Sequence, residues 1–254
     1  MLEQFTTLFI YQFFLVFSRM GAAMMVFPAF GESYVSPRVR LTLALAISAV
    51  MTPVLARILP PALPGDVIHL MFALLAEAMI GIFIGGIMRM VQAILHIAGM
   101  IIAFQSSLAS AMLFDATQAS QGSVMGNFMT LIGVTLLFAT GMHHLMLRGV
   151  AESYILFPAG VFPITGDFAE MASRTVSEGF LVAVKIAAPL IVVGLLLYLG
   201  GGILGRLMPN MQVFFVLVPV QLYVSFVIFM LTLSAGVMYY ISHYQEVLQT
   251  FLVR

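Results

Sequence analysis

Residues 67–104 read VIHLMFALLAEAMIGIFIGGIMRMVQAILHIAGMIIAF, an apolar stretch with only two charged side chains, Glu77 and Arg89. A helix needs roughly 20 predominantly apolar residues to cross about 30 Å of hydrocarbon. This stretch is longer than one simple span requires. It predicts a long helix whose surroundings are lipid or other apolar protein.

The whole chain has the same apolar character. Its 254 residues are 62% hydrophobic and only 8% charged, whereas an average soluble domain has roughly 25% charged residues. A water-soluble monomer of this size could not bury so much apolar surface. Ten basic and ten acidic residues cancel, which argues against nucleic acid as a partner.

Six apolar segments follow one another along the chain. Each has about the length of a membrane span, and they cover residues 5–30, 41–59, 67–104, 124–147, 180–204 and 213–240. Strict two-residue alternation is missing, and a helix satisfies its own backbone in lipid. The sequence therefore predicts an all-α, polytopic membrane protein with one integral-membrane domain over residues 1–254.

Four charged residues lie well inside these apolar segments: Arg19, Glu77, Arg89 and Lys185, whereas Arg57 lies at the end of the second segment. A charge near the centre of a bilayer costs about 2.5–3.5 kcal/mol on insertion scales. We therefore expect these side chains to face protein, water or a partner subunit, and not the lipid tails.

Glu77, Gly81, Gly85 and Arg89 recur at every fourth residue and so share one helix face. The Gly81 and Gly85 pair forms a G-x-x-x-G pattern, which allows a second helix to approach closely. Two interpretations remain open at this stage. The face packs against another helix of the same chain, or it docks against neighbouring subunits with Glu77 or Arg89 paired across the contact.

A less apolar insert, residues 105–123, separates the third segment from the fourth. One interpretation is an ordinary interhelical loop. The other is a soft seal across a pore, because Met and Phe side chains can deform and exclude water. The bulky residues of this insert are Leu108, Met112, Leu113 and Phe114, and Asp115 follows directly.

Motifs for covalent chemistry or cofactors are not convincing here. Residues 200–205, GGGILG, match a dinucleotide-binding pattern but end an apolar helix instead of following a strand. His143 and His144 are adjacent and lack the spacing that puts two ligands on one helix face. The chain contains no cysteine. We expect no catalytic residues, no metal and no cofactor, which disfavours a membrane-embedded enzyme.

Residues 205–209, GRLMP, followed by MQVF at 211–214 and by Pro219, resemble the FliR/SctT family of export-gate proteins of bacterial type III secretion. Pro28, the PRVR loop at 37–40, and the insert with Phe114-Asp115 agree with this resemblance. Glu77 with its two glycines also resembles an acidic-then-glycine helix of the family. The resemblance covers essentially the whole chain.

The resemblance implies bent helical hairpins that function only within a hetero-oligomeric helical gate. It implies FliP-type, FliQ-type and FlhB-type subunits as partners, unfolded flagellar proteins as substrates, and a location in the bacterial inner membrane at the flagellar basal body. The implied pore plug comprises Leu108, Met112, Leu113, Phe114 and Asp115. The implied subunit contacts are Glu77, Gly81, Gly85, Arg89, Gly205, Arg206, Pro209 and Gln212.

Two alternatives to a flagellar gate remain. The first is an injectisome gate of virulence secretion, which residue chemistry does not separate from a flagellar one. The second is a secondary transporter for a small solute, which would need a midplane site formed by broken helices of two related halves.

Overall fold

The computed structural model describes residues 2–108, 124–162, 165–208 and 212–252. All regular structure within these ranges is α-helical and they contain no strand, which confirms the all-α prediction. The helices are α1 (Leu2–Val26), α2 (Pro37–Leu55), α3 (Val67–Gln105), α4 (Val124–Ala139), α5 (Met142–Leu156), α6 (Thr165–Leu207) and α7 (Val213–Gln249).

Length and composition make five of the described helices able to cross a membrane, or six spans if α4 and α5 together form one. This agrees with the polytopic architecture predicted from hydropathy. Both α3, with 39 residues, and α6, with 43 residues, are longer than about 20 residues, the length of one span.

The connection between α1 and α2 has clear local causes. Ser36 precedes α2, and its hydroxyl accepts a hydrogen bond from the Val39 N–H at 3.4 Å. Pro37 occupies the first helical position, where no N–H is needed. The Arg40 guanidinium donates to the carbonyls of Glu32 and Val35 at 2.8 and 3.0 Å, which fixes the loop ahead of the helix.

The apolar segment expected over residues 124–147 is divided into α4 and α5. Gly141 lies at the break with φ of 72°, a left-handed conformation that glycine adopts without steric cost. The two helices are bent by 74° there. Hydropathy does not report this break because apolar residues lie on both sides of it.

The chain divides into two compact units. Unit 1 contains Met1–Val91, Leu136–Val176 and Tyr244–Arg254, and its largest fully buried side chains include Arg19, Tyr154 and Tyr244. Unit 2 contains Gln92–Thr135 and Ser177–His243, with a core that includes Ile94, Leu95, Met129, Ala183 and Leu190.

Candidate functional site

An ion pair lies at the centre of unit 1. The Arg19 Nε on α1 donates to Glu77 Oε2 on α3 at 2.6 Å, and both side chains are 0% exposed. The remaining guanidinium nitrogens donate to the Ser153 hydroxyl at 3.0 Å and to the Phe157 carbonyl at 2.9 Å. The guanidinium carbon also lies 3.7 Å from the centroid of the Tyr154 ring, a favourable cation–π arrangement.

The second carboxylate oxygen of Glu77 is also satisfied. Its Oε1 accepts a hydrogen bond from the Gly160 N–H at 2.9 Å. A buried charge is stable only when it is paired and its hydrogen-bonding capacity is met. We call Arg19, Glu77, Ser153, Tyr154, Phe157 and Gly160 the buried charge network. It joins α1, α3, α5 and the loop that follows α5.

Gly81 and Gly85 on α3 lie against α1. A Cβ atom at Gly81 would overlap the Arg19 carbonyl oxygen, and a Cβ at Gly85 would lie 2.9 Å from the Ala23 carbonyl oxygen. The two helices can therefore approach this closely only because residues 81 and 85 are glycines. The packing of α3 against α1 is the contact within one chain that the first of the two interpretations predicts. A contact between this face and neighbouring subunits stays a prediction.

Arg89 continues the same face but is exposed. Its Nη2 lies 3.6 Å from Glu32 Oε1, and its side chain is 48% exposed. Its Nη1 donates to the Val26 carbonyl at 3.4 Å, at the C-terminal end of α1, where a cation is electrostatically favourable. The exposed part of this guanidinium is free to meet a group outside the chain.

The C-terminal end of α3 is anchored within unit 2. The buried Gln221 side chain of α7 donates to the Gln105 carbonyl at 2.6 Å. The Gln105 side chain packs directly against Gly194 of α6, where a Cβ atom would collide with it. Residues 105–108 thus leave α3 from a fixed position.

Leu108, which is half-buried, is the one proposed plug residue within the described ranges. The Ser107 that precedes it has φ of 60°, an uncommon conformation for a non-glycine residue. Met112, Leu113, Phe114 and Asp115 lie outside the described residues. Their role in a seal stays a prediction.

The contact residues expected between the last two helices fall at the end of α6 and the start of α7. Gly205 is half-buried, whereas Arg206 and Gln212 are exposed; Pro209 lies outside the described residues. Within the ranges that the structure describes, no carboxylate lies within 4 Å of Arg206. Gly201, in the preceding glycine run, lies where a Cβ would be 2.7 Å from the Leu217 side chain. This close approach supports a packing role for Gly201, whereas nothing lies within 4 Å of a Cβ at Gly200 or Gly202.

No group of three or more His, Cys, Asp or Glu side chains that could hold a metal ion is found among the described residues. The geometry instead consists of helix anchors, exposed cations at helix ends, and apolar surface. Such an arrangement can position helices and contact partners.

Comparison with known proteins extends over nearly the whole chain. Residues 10–247 match the family model described as bacterial export proteins, family 1. The chain belongs to this family.

Relatives of known name agree with membership of the bacterial export proteins. The chain is 33% identical to a flagellar biosynthetic protein FliR of Caulobacter vibrioides, over 98% of this chain and 100% of the relative. It is 29% identical to FliR of Bacillus subtilis, over 87% and 86%. It is also 28% identical to the Yop proteins translocation protein T of Yersinia pestis, over 63% and 62%.

For this member of the export proteins, sequence reasoning identified the charges but not all their partners. The sequence identifies Arg19 and Glu77 as intramembrane charges that must face protein, water or a partner subunit. Glu77 is the one acidic residue of the four, so opposite charge was an available signal for the pair. Ser153, Tyr154 and Gly160 were missed because neutral residues in α5 and its following loop carry no such signal.

Proposed function

We propose that the chain is a non-enzymatic membrane subunit of a bacterial type III protein-export gate. Unfolded flagellar proteins would pass through the pore that it helps to form. The observation that carries the proposal is the match to the bacterial export proteins over residues 10–247. The several apolar helices of membrane length are consistent with it.

A flagellar role is favoured over an injectisome role. FliR of Caulobacter vibrioides aligns over 98% of this chain, whereas the Yersinia pestis translocation protein T aligns over 63%. The injectisome gate is the second candidate because of that Yersinia relative. A deletion strain separates the two: loss of motility and of flagellar protein export supports the flagellar role, and intact motility contradicts it.

FliP-type, FliQ-type and FlhB-type subunits are the proposed partners. We place direct subunit contacts at Arg89, Gly205, Arg206, Pro209 and Gln212. For Glu77, Gly81 and Gly85 we propose an indirect part, in which they position α1 for the neighbouring subunits. The exposed apolar residues available for burial by subunits or lipid include Leu195, Leu196, Leu199 and Ile203 on α6, and Phe215, Tyr223, Met230 and Leu231 on α7.

Co-purification tests this assignment against the transporter alternative. A tagged full-length chain extracted from native membranes should bring down two other small hydrophobic subunits and should be unstable without them. A chain that is monodisperse alone in detergent and binds a small solute would instead support a transporter.

The proposed seal predicts a leak when its bulky side chains are removed. Replacing Met112 and Phe114 together with glycine should raise ion conductance through the assembled complex, because a hydrophobic constriction excludes water and ions only while it is filled. Conductance is measured across membranes that contain the complex. Leu63→Gly, in the exposed loop between α2 and α3, is the control and should not leak. Equal conductance in the double variant and the wild type would contradict the seal.

Gln221 is expected to hold the base of the plug segment. Gln221→Leu removes the donor to the Gln105 carbonyl, and an unsatisfied buried acceptor costs about 1–3 kcal/mol. We expect a lower unfolding temperature and a raised ion leak through the complex. Gln245→Leu, an exposed position of the same helix, is the matched control. If Gln221→Leu and Gln245→Leu raise the ion leak through the complex equally, the hydrogen bond from Gln221 to the Gln105 carbonyl does not act on the gate.

A further inference from the structure

Lys185 provides a cation on the surface of unit 2, inside an apolar segment. Its side chain is exposed, and its Nζ donates to the Tyr239 hydroxyl of α7 at 3.0 Å. Within the described part of the chain, no carboxylate lies within 4 Å of this ammonium group. A positive charge in such surroundings is therefore available to pair with an anion from outside the chain.

A cavity of about 340 Å³ opens beside this pair, lined also by Pro189 and Thr232. Pro189 lies in the interior of α6 and has no N–H, so the backbone there lacks one helical hydrogen bond. The Tyr239 hydroxyl accepts from Lys185 and can therefore donate its own proton into the cavity. Two donors, the ammonium and the phenol, converge on one site.

The position of Lys185 along α6 identifies the depth of the site. Between Lys185 and Arg206 the helix has no charged residue. These 21 residue steps (206 minus 185) span about 32 Å at 1.5 Å per residue, close to the ~30 Å thickness of the hydrocarbon core. On α7, residues 213–239 are likewise uncharged, and His243 and Glu246 follow.

If α6 crosses the membrane between Lys185 and Arg206, Lys185 and Tyr239 lie where the hydrocarbon ends and the lipid headgroups begin. Lysine extends its ammonium to that boundary while its methylene stem stays in the apolar region. Tyrosine is enriched at the same level. An anion present at this depth on every phospholipid membrane is the phosphate of the lipid.

We propose that Lys185 and Tyr239 bind the phosphate of an anionic phospholipid, with the acyl chains lying along the exposed apolar surface of α6 and α7. Exposed leucines such as Leu195 and Leu196 provide that surface. The inference depends on membrane insertion alone and goes beyond the proposed function in protein export.

The test measures lipid binding to the full-length chain purified in detergent together with the subunits that it brings down. Native mass spectrometry is used to titrate phosphatidylglycerol and, separately, phosphatidylcholine. We expect Lys185→Gln to weaken phosphatidylglycerol binding at least tenfold, Tyr239→Phe to weaken it a few-fold, and Lys185→Arg to retain it. Phosphatidylcholine binding should change much less, because its choline cation offsets the charge of the phosphate.

Arg57→Gln is the matched control because Arg57 is also an exposed cation without a carboxylate within 4 Å among the described residues. If it weakens phosphatidylglycerol binding as much as Lys185→Gln does, attraction is diffuse and the proposal is overturned. If inorganic phosphate at millimolar concentration competes fully with the lipid, the site is for free phosphate and the lipid assignment is wrong.

A protein carboxylate is the remaining occupant that the experiment can reveal. If a carboxylate of a neighbouring subunit occupies the site, carbodiimide in native membranes will cross-link Lys185 to that subunit, and Lys185→Gln will not affect lipid binding. This result overturns the proposal. Unfolding temperatures without added lipid are measured first. If Lys185→Gln lowers the unfolding temperature, Tyr239→Phe, which keeps the ring, replaces it as the test variant. The proposal then requires that Tyr239→Phe weakens phosphatidylglycerol binding a few-fold.

Discussion

Replacing Glu77 with alanine is expected to destabilise the protein by about 3–5 kcal/mol, because the change leaves the Arg19 guanidinium buried without a counter-charge. Folded domains are stable by only about 5–15 kcal/mol, so a large share of the stability is removed and the amount of protein in the membrane should fall. Abundance in the membrane fraction and the unfolding temperature in detergent measure the effect.

Arg148→Ala is the control for this prediction. It also removes one partner of an ion pair, with Glu152, but Arg148 is 62% exposed, and surface pairs contribute about 0–1 kcal/mol. The double change Arg19→Met with Glu77→Met should recover part of the loss, since apolar replacement of a whole buried pair is often tolerated. If Glu77→Ala unfolds at the same temperature as Arg148→Ala, the buried charge network does not stabilise the fold.

Gly81→Ala is expected to force α1 and α3 apart. The added methyl group overlaps the Arg19 carbonyl oxygen, and a backbone atom cannot rotate away as a side chain could. Overpacking of this kind costs about 1–3 kcal/mol, and more where the neighbour cannot move. The unfolding temperature in detergent and export of flagellar protein in cells should both fall.

Gly86→Ala provides the comparison within the same helix. Nothing lies within 4 Å of a Cβ at Gly86, and alanine is favoured over glycine in a helix by about 0.8–1 kcal/mol. This variant should be neutral or slightly more stable. Equal unfolding temperatures for the two variants would show that the α1–α3 contact does not require glycine at residue 81.

Much of the fold can be predicted from hydropathy, because the apolar or polar character of side chains matches the solvent that surrounds them. The 39-residue length of α3 and the four-residue spacing of Glu77, Gly81 and Gly85 predicted a helix with one closely packed face. The structure shows α1 in that place. Spacing identifies a face that needs a partner but does not say whether the partner comes from the same chain.

The partners of the charged residues could not be predicted in the same way. Arg19 and Glu77 are 58 positions apart, and Ser153 is 134 positions from Arg19. Their meeting depends on how α5 follows the break at Gly141, which looks like continuous apolar sequence. Lys185 and Tyr239 are 54 positions apart, and their contact could not be predicted from the sequence for the same reason. For Met112, Leu113, Phe114 and Asp115, the seal stays a prediction from sequence.

The buried charge network also sets an order for biogenesis. When α1 leaves the ribosome, Arg19 has no counter-ion, and placing it in a bilayer costs about 2.5–3.5 kcal/mol. Glu77 follows 58 residues later, and Gly160 a further 83 residues after that. The network therefore cannot close until about two-thirds of the polypeptide has been made, and the core of unit 1 also needs Tyr244, which follows later still. We expect the nascent α1 to stay beside the translocon or a chaperone until then.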